Sequence, residues 1–281
     1  FLVDLIKNNE VQRLVELSLE EDTKLGDPTS ESIFSSNSKK AELILILKEN
    51  AVVSGLKLFE YVFQNINSEI EFHTDLVDGF QEIGNIGVLC GPIKSILTAE
   101  RTALNYIQRM SGVATETYNL VKSIEDLPVE IVDTRKTVPG WRVLDKYSVW
   151  LGGGKNHRMS LGDQILIKDN HLNNVSITDA VRTSRQKYDS LKVEVEIENW
   201  SQLREAINTD LDVIMLDNWD LSDISEAITF IRDNSDYIKI EISGGISKSN
   251  LREYAEKGAD YISIGYITNS SKAVDFSLEL I

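Results

Sequence analysis

Between positions 133 and 171 the chain carries three polar clusters: Asp133-Thr134-Arg135-Lys136-Thr137, then Gly152-Gly153-Gly154-Lys155-Asn156-His157-Arg158, then Lys168-Asp169-Asn170-His171. Arg135, Lys136, His157, Arg158 and Lys168 could together hold an anion with several negative groups, since guanidinium and ammonium groups form charge-assisted hydrogen bonds to carboxylate and phosphate. Glycine-rich backbone lets N–H groups approach such oxygens closely. Alone, the first cluster reads as a solvated turn and the second as a flexible surface loop. Their close succession points instead to an enzyme that handles anions.

Charge sharpens the point. The 281 residues include 29 Lys+Arg and 45 Asp+Glu, a formal charge of −16, whereas positions 133–171 hold seven Lys/Arg against four acids. A positive focus on an acidic body suits a small anionic ligand, and the lack of a basic stripe excludes nucleic acid as the expected partner. Three histidines (His73, His157, His171) and one cysteine show no zinc-ligand spacing. Cys90, between Leu89 and Gly91, reads as buried apolar filler in a reducing cytoplasm. Apolar runs such as Leu43-Ile44-Leu45-Ile46-Leu47 are too short to span a bilayer, and no signal-peptide pattern opens the chain, so a soluble cytoplasmic protein is expected.

These clusters must be held by regular elements. Residues 2–19 have the apolar spacing of an amphipathic helix, followed by a turn-rich loop at 21–29. From Ala41 to about Val88 alternating apolar residues predict strands, separated by turns at Gly55, Gly79 and Gly84. A helix is expected from Ile96 to Met110, broken at Ser111-Gly112 and resumed from Val113 to about Ser123. Beyond Leu127, short apolar strands end on Asp133, Lys168, Glu196, Asp217, Ser243 and Gly265, at intervals of 35, 28, 21, 26 and 22 residues. Each interval accommodates one β-α unit. The fold class is therefore α/β, with a β/α barrel favoured over a doubly wound sheet or a sheet with one wet face. In Lys192–Glu198 and Ile238–Ser243 charged residues alternate with Val or Ile. The apolar face would pack on outer helices, turning Lys192, Glu194, Glu196, Lys239, Glu241 and Ser243 toward the axis near the mouth.

On that scaffold Lys168 is open to three readings: a Schiff-base lysine, a cation for phosphate, or a structural ion pair with Glu196 or Asp217. Glu196 and Asp217 end consecutive strands and could hold ribose hydroxyls or a hydrated magnesium ion. Ser243-Gly244-Gly245 and Gly265 are compatible with a phosphate cradle of backbone N–H groups and a helix N-terminus. Arg101, beside Glu100 in a helical stretch, reads as a surface ion pair.

The ordered segments Gly26-Asp27, Glu100-Arg101-Thr102-Ala103-Leu104-Asn105, Ser111-Gly112-Val113-Ala114-Thr115, Asp133–Thr137, Pro139-Gly140, Lys146-Tyr147, Gly152–Gly154, Asn156-His157-Arg158, Ile167–His171, Val193–Glu196, Leu216-Asp217-Asn218, Ser243–Ile246 and Ile264-Gly265 cover essentially the whole chain. In this order they resemble quinolinate phosphoribosyltransferases, type II phosphoribosyltransferases of NAD biosynthesis. The resemblance implies an N-terminal α+β, sandwich-like domain over residues 1–108, to which 268–281 return, and an open, incomplete β/α barrel over 109–267. It implies transfer of phosphoribosyl from phosphoribosyl pyrophosphate to quinolinate with decarboxylation, giving nicotinate mononucleotide, pyrophosphate and CO2. It also implies a homodimer or larger assembly in which Arg101 completes the neighbouring site, which overrides the ion-pair reading. By matching position, Arg101, Arg135, His157 and Arg158 would bind the quinolinate carboxylates. Lys136 and Lys168 would line the phosphoribosyl pyrophosphate site, Glu196 and Asp217 would hold ribose hydroxyls and Mg2+, and Ser243, Gly244, Gly245 and Gly265 would cradle phosphate. Lys136, Lys168, Glu196 and Asp217 would be the catalytic set. N-ribosylation makes the pyridine ring cationic and stabilises the carbanion left by CO2, so this chemistry needs no covalent nucleophile. Val138, Trp141, Trp150, Leu151 and Gly162 depart from the family pattern without removing a charged ligand. The alternatives are a paralogous transferase acting on another nitrogen base, a non-catalytic nucleotide-binding barrel, and a Schiff-base aldolase built on Lys168.

Overall fold

A computed structural model describes residues 4–34 and 39–281; the first residues of the expected opening helix lie outside them. The elements run α1 (Asn9–Thr23), α2 (Pro28–Ile33), β1 (Lys40–Leu47), β2 (Ala51–Val53), α3 (Leu56–Ile66), β3 (Glu71–His73), β4 (Gly79–Gln81), β5 (Gly84–Pro92) and α4 (Ile93–Ser123). They continue with β6 (Glu130–Val132), α5 (Arg142–Leu151), β7 (Ile165–Ile167), α6 (Asp169–Leu172), α7 (Ile177–Lys187), β8 (Val193–Ile197), α8 (Trp200–Ala206) and β9 (Val213–Asp217). The last are α9 (Leu221–Asn234), β10 (Lys239–Ser243), α10 (Leu251–Ala255), β11 (Tyr261–Ser263), α11 (Tyr266–Asn269) and β12 (Phe276–Leu280). None of the described helices is long and apolar enough to cross a membrane.

The chain divides into two compact units, one holding the chain up to Tyr118 with Thr137–Gly153 and Ile267–Ile281, the other Asn119–Lys136 with Gly154–Tyr266. The expected division, at residue 108 with 268–281 returning, differs from this because the first unit reaches Tyr118 and takes in α5. Its reasons are local: Tyr147 donates to Asp78 at 2.8 Å, Asp145 pairs with Arg109 at 2.9 Å, and a Cβ at Gly152 would lie 2.4 Å from the Ala114 carbonyl oxygen on α4.

In the first unit an antiparallel sheet runs β12-β1-β5-β3, with β2-β4 as a separate ribbon. The alternation of β1 is realised: Leu43, Leu45 and Leu47 are buried, the period-two face that a half-buried strand requires. The helix expected at 2–19 begins at Asn9, because the Asn8 side chain accepts the Glu10 and Val11 N–H groups and caps it there. Part of the loop expected at 21–29 is helix α2, with Asp27 as cap and Pro28 at its first position. The break expected at Ser111-Gly112 does not occur, and α4 is continuous. Gly112 serves packing instead, since a Cβ there would sit 2.2 Å from the Lys272 carbonyl oxygen. Cys90, expected as buried filler, is half-buried on β5.

The second unit is a six-stranded parallel sheet in the order β6-β11-β10-β9-β8-β7. The first strand, β6, pairs with the last, β11, so the winding is that of a barrel left open between β6 and β7, not of a doubly wound sheet. Val195, Ile214, Ile240, Ile242 and Ile262 are fully buried in its core. The alternating charges of β8 and β10 divide by depth. Lys192 and Lys239 are exposed at the amino ends, Lys239 pairing with Asp260 at 2.7 Å. Glu194 and Glu241 are buried one step further along, and Glu196 and Ser243 stand at the carboxyl ends. Only the last pair therefore lies where the sequence places all six.

Candidate active site

The site begins at the carboxyl end of β6. Lys155 bridges to the free edge of that strand, its N–H bonding the Ile131 carbonyl at 2.8 Å while the Asp133 N–H bonds the Lys155 carbonyl at 3.1 Å. The bridge carries the second polar cluster onto the first. Asp133, fully buried, accepts the Asn156 side-chain amide at 2.6 Å and the His157 backbone N–H at 2.9 Å. Of the three glycines ahead of this cluster, Gly152 is consumed by packing on α4 and Gly153 turns out of α5 at φ +92°, so neither is shaped as a ligand cradle.

His157 is almost covered, and both ring nitrogens face protein. Nδ1 accepts the Arg158 backbone N–H at 2.8 Å, while Nε2 lies 3.0 Å from Glu194 and 3.6 Å from Glu241. These three side chains form the one group among the described residues whose His and carboxylate atoms are close enough to share a cation, a grouping that the sparse histidines of the sequence do not suggest. Its contacts are ion-pair distances, and at 3.6 Å Glu241 lies beyond hydrogen-bond reach of His157. Burial, reinforced by the neighbouring Glu194 carboxylate, pushes the Glu241 carboxyl up to about 8 against the opposing effect of His157. Gln164 donates to Glu194 at 2.6 Å, and the Gln164 backbone carbonyl accepts from the Arg158 guanidinium at 3.2 Å.

Arg158 is depressed below the usual guanidinium range, first by burial and then by the adjacent Arg135. Both residues are half-buried and their like charges act on each other, with Glu194 and Asp163 opposing the depression of Arg158, and Arg135 Nε is buried without a hydrogen-bond partner. Like charges in such a setting repel strongly and are compensated by an anion between or across them.

The opposite side of the mouth is built differently. Lys168, half-buried at the end of β7, forms an ion pair with Glu196 at the end of β8. The Lys168 backbone N–H donates to His171 Nδ1 at 2.9 Å, closing the third cluster on itself. Asp217, at the end of β9, accepts the Asn218 side-chain amide at 2.6 Å. Asn218 has φ +55°, the one positive value among described non-glycine residues, and its backbone N–H donates to the Ser243 carbonyl at 3.0 Å. Gly244 follows at φ +98°, where a Cβ would lie 2.3 Å from Asn218 Oδ1, whereas a Cβ at Gly245 would meet nothing within 4 Å. No helix starts at this loop, because α10 begins at Leu251 after a turn capped by Asn250. Gly265 leaves room for the Lys136 side chain, whose Cδ would be 2.9 Å from a Cβ there.

The fold thus brings Arg135, Lys136, His157, Arg158, Lys168, Glu196, Asp217, Ser243, Gly244, Gly245 and Gly265 to the carboxyl ends of one sheet. Arg101 belongs to the other unit, exposed on α4 and with no ion pair to Glu100 or to any other described residue. Asp133, Gln164, Glu241 and Asn218 hold the arrangement together and were not assigned roles from sequence. The available signals were an acid ending a strand for Asp133 and an acid alternating with Ile within a strand for Glu241; nothing marks Gln164.

Comparison with known proteins places these observations in a lineage. The descriptions of two family models match in tandem: quinolinate phosphoribosyl transferase, N-terminal domain, over residues 27–111, and its C-terminal domain over residues 113–279. A probable carboxylating nicotinate-nucleotide pyrophosphorylase of Methanocaldococcus jannaschii is 38% identical over 276 residues, 96% of each chain. A probable enzyme of the same name from Synechocystis is 39% identical over 240 residues, covering 84% of this chain and 81% of that one. The solved nicotinate-nucleotide pyrophosphorylase of Francisella tularensis superposes with a TM-score of 0.91 at 36% identity, covering 99% of this chain and 100% of the other.

Proposed function

Because the chain belongs to the quinolinate phosphoribosyltransferase family, we propose that its barrel mouth transfers phosphoribosyl from phosphoribosyl pyrophosphate to quinolinate with decarboxylation. The products are nicotinate mononucleotide, pyrophosphate and CO2, and the reaction feeds NAD synthesis in the cytoplasm. The observation that carries this reading is the Arg135–Arg158 pair, two half-buried arginines whose like charges act on each other, one with a buried unpartnered Nε. A ring bearing adjacent carboxylates supplies the two negative groups that such a pair calls for.

The chemistry then follows from charge. As pyrophosphate leaves, the ribose carbon becomes electron-poor, and the Glu196 and Asp217 carboxylates stabilise it while the pyridine nitrogen attacks. The quaternised ring withdraws electrons from the carbon that bears the neighbouring carboxylate. CO2 departs, the electron pair stays on that ring carbon next to the cationic nitrogen, and a proton replaces the lost group. Lys168 serves as a charged partner to Glu196 and to phosphate oxygens; an ammonium in an ion pair is a poor Schiff-base nucleophile. Two carboxylates at neighbouring strand ends, one of them half-exposed, fit a hydrated magnesium ion, which prefers few protein ligands and shares its shell with phosphates. Glu196 and Asp217 would hold it, and it would supply positive charge to the departing pyrophosphate. Ser243, Gly244, Gly245 and Gly265 receive the phosphate, and Lys136 flanks it.

The test incubates the protein with quinolinate, phosphoribosyl pyrophosphate and Mg2+ and follows nicotinate mononucleotide and CO2. Wild type is expected to form both, and yields no greater than those of Arg135→Ala would reject the reading. The family reading also makes the enzyme a homodimer or larger, with Arg101 reaching the neighbouring subunit's site, which accounts for an exposed cation with no ion pair among the described residues. Arg101→Ala and Lys168→Ala proteins, each inactive, are expected to regain about a quarter of wild-type activity when subunits exchange at random. Exchange without recovery would reject the shared site.

A further inference from the structure

The segment that follows β9 is tied on both sides. On one side the Asn218 backbone N–H donates to the carbonyl of Ser243, the last residue of β10, at 3.0 Å. On the other the indole N–H of Trp219 donates to the carbonyl of Ile197, the last residue of β8, at 2.7 Å. Trp219 is buried, and its ring meets that of Trp200 on α8 edge to face at 5.4 Å, while Trp200 packs in turn on Phe230 of α9. We propose that Trp219 is a positioning residue: its N–H fixes the end of β9 against the end of β8 and so sets the spacing of the Asp217 and Glu196 carboxylates for phosphoribosyl pyrophosphate and its magnesium ion.

Glu196 directly precedes Ile197, and Asp217 lies two residues ahead of Trp219. The bond therefore couples the two carboxylates through little intervening chain. Each carboxylate has one oxygen engaged: Lys168 pairs with Glu196 Oε2, and the Asn218 side-chain amide donates to Asp217 Oδ2. One oxygen of each remains for a ligand. Single oxygens on two strands cannot adapt by each gripping the ligand twice, so the separation of the strand ends decides how well they meet a ribose diol or a magnesium ion, whose shell tolerates little distortion. A tryptophan suits the tie because its indole N–H only donates and requires an acceptor when buried, while its rings pack on Trp200. Arg135 follows β6 and Arg158 follows the segment bridged to β6, outside the bonded stretch. The tie thus bears on phosphoribosyl pyrophosphate and not on quinolinate.

This inference rests on the proposed activity, and the measurements separate the two. Trp219→Phe keeps an aromatic ring and deletes the N–H. It is expected to raise the KM for phosphoribosyl pyrophosphate about fivefold, and the Mg2+ concentration for half-maximal rate in the same direction, while the KM for quinolinate stays within about twofold. Trp200→Phe, which alters the same packing but leaves the bond, is expected to keep all three within about twofold. An unchanged KM for phosphoribosyl pyrophosphate in folded Trp219→Phe, an equal rise for quinolinate, or the same rise in Trp200→Phe would overturn the positioning role. The bond also has a readout that needs neither substrate nor turnover. In 15N NMR of wild type, with the four indole signals assigned by replacing the other tryptophans one at a time, the Trp219 N–H is expected to exchange with solvent about tenfold or more slowly than that of free tryptophan. A smaller difference would overturn the tie, even where Trp219→Phe does not fold. Wild type that forms no product and, by calorimetry, takes up no phosphoribosyl pyrophosphate with Mg2+ would reject the proposed activity, and the role of the tie with it; an active wild type matched by Trp219→Phe would reject the role alone.

Discussion

The two sides of the barrel mouth achieve order by opposite means. Between β6 and β8, buried side chains hold one another: Asp133 ties down Asn156 and His157, and Glu194 joins His157 to Gln164. At β9 and β10 the backbone does the work, through the left-handed turn at Asn218 and the positive φ of Gly244 and Gly245. A side-chain network presents fixed charges to a rigid, planar dicarboxylate. A loop of exposed backbone amides suits phosphate, whose oxygens accept from several directions. The contrast accords with a site that must hold one substrate by its charge pattern and another by its shape.

The glycine side offers the largest effect, and it separates two neighbours. Gly244→Ala would drive a Cβ to 2.3 Å from Asn218 Oδ1 and 2.7 Å from its backbone nitrogen, while Gly245→Ala meets no atom within 4 Å. Both carry the left-handed strain of about 1–2 kcal/mol. Gly244→Ala adds overpacking of about 1–3 kcal/mol and displaces the residue that holds Asp217. Denaturant midpoints are therefore expected to fall clearly more for Gly244→Ala, while both variants raise the KM for phosphoribosyl pyrophosphate, by about tenfold or more for Gly244→Ala. Equal losses of stability, or a quinolinate KM that moves instead, would erase the distinction between the two sides.

Much of this was legible in the sequence, for reasons that differ by residue. The strand ends at Lys168, Glu196, Asp217 and Ser243 were readable because a parallel barrel imposes one apolar strand per β-α interval, and the residue that ends each run must emerge at the mouth. The same spacing favoured a barrel winding, and its being open was implied by the family resemblance. Gly152-Gly153-Gly154 misled, because a glycine required by helix packing has the same letter as one required by a ligand; only the approach of Gly152 to Ala114 on α4 distinguishes them. The continuity of α4 across Ser111-Gly112 was hidden likewise, since the carbonyl of Lys272 that needs the space is remote in sequence. Gln164 lay beyond reach altogether. Its role depends on the Arg158 chain folding back on it, and no periodicity encodes such a closure.

The buried side yields a smaller effect, in stability rather than turnover. Glu241 faces Glu194, His157, Asp133 and Ser263, and burial raises its carboxyl from the ordinary value of 4.5 to about 8. Between those two values the folded protein binds a proton that the unfolded chain has released. This contribution is fully present below the unfolded value and is lost as pH rises through the folded one, with a slope of at most about 1.4 kcal/mol per pH unit. Glu241→Gln keeps the shape of a protonated carboxyl and removes the titration. Denaturant midpoints of the variant are thus expected to gain on wild type as pH rises from about 5.5 to about 7.5, with the two closest at the acid end. A difference that shrinks over that range would mean that Glu241 is held ionised by His157. The buried side would then carry one more fixed negative charge beneath the arginines and would attract anions less than its opposite side.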